Sequence, residues 1–164
     1  MGKCFLCGGD ARVRLSQHSF LKDGGCKNCG RYWCDDFVAD RGSKVRWHVE
    51  SGVLQDTEDL HDVPRHVLSG LTRESSEAGV VVTLKEANLR ELVQSASIPH
   101  GPLEAMDRIL SYVARKRESF DEHVTLSEHD YPIAFAKHAD EFDYLISNLV
   151  NRGLVERYGT VGRF

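Results

Sequence analysis

Polar and apolar residues alternate along Arg12-Val13-Arg14-Leu15, the pattern of a half-buried strand whose side chains point to opposite faces. Arg31-Tyr32-Trp33 is a second strand-forming run. Lys44-Val45-Arg46-Trp47-His48-Val49 alternates again after a turn at Arg41-Gly42-Ser43, and predicts a third strand. The period then changes. Val63, Val67 and Leu71, with Leu68 alongside, form a stripe at helical spacing from Pro64 to about Ser76, with Gly79 as the stop. Val80-Val81-Val82 is a short extended run. Thr83-Leu84-Lys85-Glu86 has the order of a capping box, and opens a helix that buries Leu89, Leu92 and Val93 and ends near Ser95. Ser97-Ile98-Pro99-His100-Gly101-Pro102 breaks the pattern and marks the best domain boundary.

Leu103, Met106, Leu110 and Val113 recur at steps of three and four, predicting a helix to Glu118. His123-Val124-Thr125-Leu126 has the composition of a short strand, and Pro132 opens a short helix. Asp140 is the expected cap of an amphipathic helix carrying Phe142, Leu145, Ile146, Leu149 and Val150, with Gly153 at its C′ position. Leu154 to Tyr158 then predicts a strand, Gly159 to Gly162 a turn, and Arg163-Phe164 the start of a return strand. This order is that of a winged helix whose wing is cut short at Phe164. The expected fold class is therefore α+β, mainly α. A zinc ribbon spans residues 1–50, a helical connector 51–98 and a winged-helix-like domain 99–164.

The sharpest chemical signal is Cys4-x-x-Cys7 followed, after 18 residues, by Cys26-x-x-Cys29. Two thiolates three positions apart on a tight turn can face one metal, and a second such turn completes a tetrahedron. Cys4, Cys7, Cys26 and Cys29 are the expected ligands of one structural Zn2+. A Cys₄ set has no open coordination position for water or substrate, so the ion would fold a segment too small to bury its own core. Cys34, five residues after Cys29, fits a buried thiol better than a ligand.

The 164 residues are 41% hydrophobic and 28% charged, which are globular values, and no apolar run approaches membrane-spanning length. Net charge is −4, which gives no general attraction to nucleic acid. The charge is uneven: residues 1–50 carry nine Lys/Arg against six Asp/Glu, and the remainder twelve against nineteen. The first residues enter the cysteine motif with no apolar leader, so a cytoplasmic, reducing location is expected.

Eight histidines invite a search for a catalytic site, but no metalloprotease spacing and no nucleophile elbow is present. The His123, His129 and His138 group and the His61 and His66 group are expected to be surface histidines. Arg73 could take a phosphate or carboxylate bidentately, or pair internally to hold its helix on the ribbon, which is the favoured alternative. Cations of the ribbon interleave with Tyr32, Trp33 and Trp47, a composition able to stack single-stranded bases; the same aromatics could instead fill the ribbon's core. Asp140, Glu141 and Asp143 at the start of the expected recognition helix would repel phosphates.

Three stretches together resemble a module of bacterial multidomain proteins: Cys26-Lys27-Asn28-Cys29-Gly30-Arg31-Tyr32, Leu68-Ser69-Gly70-Leu71-Thr72-Arg73-Glu74, and Glu141 to Leu149 followed by Gly153-Leu154-Val155. There a zinc ribbon and a winged-helix-like segment form the sensor or adaptor half. The downstream half is a TIR-like or nucleotide-cleaving effector, often of phage-defence type. The resemblance implies no enzymatic activity for these residues. The expected function is a non-enzymatic, zinc-stabilised recognition or adaptor module that docks a partner protein or effector domain. Arg73, Glu74, Arg31, Tyr32, Trp33, Arg46 and Trp47 are its candidate recognition residues. The alternative is a nucleic-acid-binding regulator using the basic ribbon and the winged helix. The Leu103 to Val113 seam could serve an oligomer, although a core-facing helix fits it better.

Overall fold

The computed structural model describes residues 2–15, 21–35, 65–119 and 122–156. Strands β1 (Gly2–Lys3), β2 (Asp10–Leu15), β3 (Leu21–Cys26) and β4 (Gly30–Asp35) form an antiparallel meander. Chain turns at Cys4–Gly9 and Cys26–Gly30 join β1 to β2 and β3 to β4, so both cysteine pairs lie at one end of the sheet. Helix α1 (Arg65–Glu77) follows, and β5 (Val82–Leu84) then pairs parallel to β4, with Tyr32 opposite Val82 and Cys34 opposite Leu84. A strand from the segment expected to be a separate helical connector thus completes the ribbon's own sheet, in the order β1-β2-β3-β4-β5.

Helices α2 (Glu86–Ser95), α3 (Pro102–Lys116) and α4 (Ala139–Asn151) complete the architecture, with a 3₁₀ helix at Glu128–Ala134 between the last two. The class is α+β, and helix outweighs strand among the described residues. Two apolar clusters hold it. The first joins Leu6, Tyr32 and Cys34 of the sheet region to Val67, Leu68, Leu71, Leu84, Leu89 and Val93. The second joins Met106 and Ile109 of α3 to Tyr131 and to Phe142, Leu145 and Leu149 of α4. They interlock. Phe135, which follows the 3₁₀ helix, belongs to the first cluster, and Cys7 of the first knuckle packs on the second.

Several expectations are corrected. Thr83 is not a helix cap: it pairs with Trp33 in the sheet, and Asn88 does the capping instead. Its Oδ1 accepts from the Lys85 N–H at 2.9 Å, while its Nδ2 donates to the Thr83 carbonyl at 2.8 Å. The cap of α4 is His138, two residues before Asp140; its Nδ1 accepts from the Glu141 N–H. Pro132 lies inside the 3₁₀ helix rather than opening a helix, and Ser127 caps it. No strand forms over His123–Leu126, and Leu154–Glu156 leave α4 as a bend. Neither segment joins the sheet, whose order among the described residues is β1-β2-β3-β4-β5. The winged-helix arrangement is accordingly not displayed by these residues. The strand expected at Lys44–Val49, with Arg46 and Trp47, and the wing beyond Arg157 lie outside the described residues. Gly153 does take the C′ role: at φ 68° it lets the Leu154 N–H reach the Leu149 carbonyl at 3.0 Å, closing α4.

Candidate metal centre

Each cysteine pair sits on a turn that the local sequence makes tight. In the first knuckle the Gly8 N–H donates to the Cys4 carbonyl, and the Cys4 N–H to the Gly9 carbonyl. In the second, the Cys29 N–H donates to Cys26 Sγ at 3.2 Å. Gly30 follows at φ 71°, where a Cβ would sit 2.4 Å from Ser76 Cβ on α1, so both the turn and the close approach of α1 require glycine.

The sheet register brings the two knuckles face to face. Cys4 Sγ lies 3.8 Å from Cys29 Sγ, and Cys7 Sγ 3.6 Å from Cys26 Sγ. All four sulfurs lie within 4.8 Å of one another, and all four cysteines are free thiols. A tetrahedron with metal–sulfur bonds of about 2.3 Å has edges of about 3.8 Å, so the spacing fits one four-coordinate ion. This is a site that can hold a metal ion, assembled from Cys4, Cys7, Cys26 and Cys29. Cys34 is fully buried on β4 and outside the set. Among the described residues no other group of histidines, cysteines or carboxylates converges in this way.

The thiols share their protons unequally. Cys26, then Cys29 and Cys7, hold the Cys4 thiol far below its usual range, and Cys26 and Cys29 draw Cys7 down to about 7. Cys29 is pushed up by Cys26, Cys4 and Cys7. A cation entering the site replaces these shared protons, which is the ordinary coupling between metal binding and thiol ionisation.

Around the sulfurs stand hydrogen-bonding groups that the sequence did not single out for this role. The Tyr32 hydroxyl lies 3.1 Å from Cys4 Sγ, and burial, with the Cys4 charge, raises its pKa and keeps it a donor. Ser69 Oγ of α1 lies 3.3 Å from Cys29 Sγ. Asn28 Nδ2 donates to Cys7 Sγ at 3.6 Å and to the Tyr131 hydroxyl at 3.4 Å. That orientation leaves Asn28 Oδ1 to accept from His129 Nδ1 at 3.0 Å. The Cys29 thiol donates to Ser69 Oγ, while the Asn28 amide and the Tyr32 hydroxyl are donors able to orient metal-binding thiolates and spread their charge.

The residues expected to recognise a partner fall in different places. Tyr32 is 0% exposed, with its ring over Gly24 on the neighbouring strand, where a Cβ would come within 2.5 Å of Tyr32 Cζ. It is a core residue and cannot stack on a base, which corrects its candidacy. Trp33 faces the other side of β4 and is half-buried, and Arg31 is exposed beside it. Arg73 is 11% exposed and turned inward. Its Nη1 donates to the Lys27 carbonyl at 2.5 Å and the Asn28 carbonyl at 3.3 Å, both in the second knuckle. Its Nη2 pairs with Asp130 at 2.6 Å, and its Nε lies 3.0 Å from Glu77. Glu74 pairs with Arg108 at 2.9 Å. Arg108 in turn lies over the Phe135 ring, 4.7 Å from its centre.

The stretch Leu68 to Glu74 is therefore a docking face. Leu68 fills the core, Ser69 meets Cys29, and Gly70 admits Phe135, whose Cδ1 would lie 2.4 Å from any Cβ there. Arg73 ties the knuckle to the 3₁₀ helix, and Glu74 reaches α3.

Fold and site together define a tetrathiol knuckle centre built into an α+β sheet and braced by a helix. Comparison with family models, with curated proteins and with solved structures finds no match for this chain.

Proposed function

We propose that this chain is a zinc-stabilised recognition module without catalytic activity of its own, which docks a partner protein. The observation that carries this reading is the closed four-sulfur set. Thiolates at tetrahedral spacing favour Zn2+ over the hard, oxygen-seeking cations, and four protein ligands leave the ion no position for substrate. The ion's work is then to fix the knuckles on which α1 and the 3₁₀ helix sit. The placement of such a module beside an effector in bacterial phage defence rests on the sequence resemblance alone.

A protein partner is favoured over nucleic acid by charge. Asp140 and Glu141 occupy the exposed first turn of α4, where a reading helix would meet phosphates, and the whole chain is net negative. Tyr32, the central aromatic of the basic ribbon, is buried. The test is binding of the zinc-loaded chain to single- and double-stranded oligonucleotides across a salt series. No binding at about 0.15 M salt is expected. Binding there that falls steeply with salt would replace this reading with a nucleic-acid-binding regulator.

A further inference from the structure

A groove of about 640 Å³ lies against α4 and the end of α3. Ala139, Phe142, Asp143 and Ile146 line it at steps of three, one and three, a stripe of two turns about 10 Å long. Val113 near the end of α3, residues 122–127 with Glu128 at the start of the 3₁₀ helix, and the bend Gly153–Glu156 form the other walls. The lining is mainly apolar, with Leu126, Ile146 and Val155 half-buried and Leu154 55% exposed. A cleft of this size holds a few large side chains, and a groove along a helix suits the apolar stripe of a second helix.

The rim says which kind of helix. Among the described lining residues the rim carries the carboxylates of Glu122, Glu128 and Glu156, with Asp143, Arg117 and His123 beside them. Asp140 and Glu141 add negative charge at the start of α4. An apolar floor within an acidic rim complements apolar anchors flanked by cations.

We infer that this groove is the docking site of a basic amphipathic helix from a partner protein. The inference rests on the protein-docking function proposed above and names the chemistry of the partner. Leu154 is the exposed anchor contact, and the Glu122, Glu128 and Glu156 carboxylates select for Lys and Arg on the incoming segment.

The probe is a labelled synthetic helical peptide with Leu at i, i+3, i+4 and i+7 and Lys elsewhere, measured by fluorescence anisotropy against the full zinc-loaded chain at about 0.15 M salt. The control peptide carries Glu in place of Lys. Micromolar binding of the Lys peptide alone is expected, weakened about tenfold or more by Leu154→Asp. The sign of that change is decisive. Leu154→Asp makes the surface more acidic, so attraction by charge alone would strengthen with the substitution, and such a result overturns the proposal. Equal binding of the two peptides, or none of either, also overturns it. Binding seen only when Tyr158→Ser and Phe164→Ser are introduced would assign the groove to the chain's own last residues. Self-association abolished by Leu154→Asp would assign it to a second copy. The oligonucleotide series tests the docking function separately: failure of the peptide with no nucleic-acid binding rejects this groove and leaves a protein partner elsewhere.

Discussion

Gly70 has no room for a methyl group, because the Phe135 ring fills the space its Cβ would take. Gly70→Ala should cost about 1–3 kcal/mol through overpacking, read as a lower urea midpoint with an unchanged slope. An unchanged midpoint would mean that Phe135 does not sit against α1. Tyr32→Phe separates ring from hydroxyl: the ring keeps its place over Gly24, while Cys4 loses a donor. Zinc affinity, measured by chelator competition, should fall about tenfold with little change in the loaded protein's melting temperature. Unchanged affinity would remove the hydroxyl from the metal's surroundings. At this scale the sequence was most legible where chemistry constrains spacing, as at Cys4, Cys7, Cys26 and Cys29. It was least legible for Ser69, Asn28 and Tyr32, whose contacts to sulfur join positions far apart and are set by register and docking. Of the two places left open for Tyr32, partner surface or ribbon core, the structure shows the core: it is 0% exposed, with its ring over Gly24.

At the scale of elements, α1 is the strut between the knuckles and the C-terminal helices, and Arg73 is its main fastening. Arg73→Met leaves Asp130 largely buried and the Lys27 and Asn28 carbonyls without their donor. A loss of about 2–4 kcal/mol in denaturant unfolding is expected. A loss below about 0.5 kcal/mol would mark these pairs as ordinary surface ion pairs. The same network predicts an acid response. Burial pushes the Glu77 carboxyl up, but Lys116 and Arg73 outweigh it and hold its pKa below the usual value. Its contribution is therefore complete above the unfolded carboxylate value of about 4.3, and is lost as pH falls through the lower folded value. Glu77→Gln should flatten the acid slope of stability measured by thermal melts over that range. Most helices were legible in the pattern: the expected span from Pro64 to about Ser76 is met by Arg65–Glu77, and Leu89 and Val93 are buried as expected. The errors lie where tertiary pairing decides. Val82–Leu84 becomes a strand because β4 offers it an edge, while His123–Leu126 forms no strand among the described residues and becomes a groove wall.

At the scale of the whole molecule, the two apolar clusters are joined through the metal site as well as through Phe135. Cys7 packs on the second cluster, Asn28 reaches His129 and Tyr131, and Arg73 links the second knuckle to Asp130. No described helix is long and apolar enough to cross a membrane. Breakers and the change of period mark ribbon, connector and C-terminal segment in the sequence, but β5 of the expected connector joins the ribbon's sheet. That interlocking is not legible in the sequence, because it depends on strand pairing and on single residues such as Phe135 crossing from one segment into another's core. A metal ion held by Cys4, Cys7, Cys26 and Cys29, proposed above to be zinc, is expected to hold both halves together. Amide hydrogen exchange of the full chain, with zinc and after its removal by a chelator, tests that claim most directly. Zinc removal should speed exchange both in the knuckles and strands β2 to β4 and across the 3₁₀ helix, α3 and α4. Acceleration confined to the two knuckles, or none at all, would contradict it.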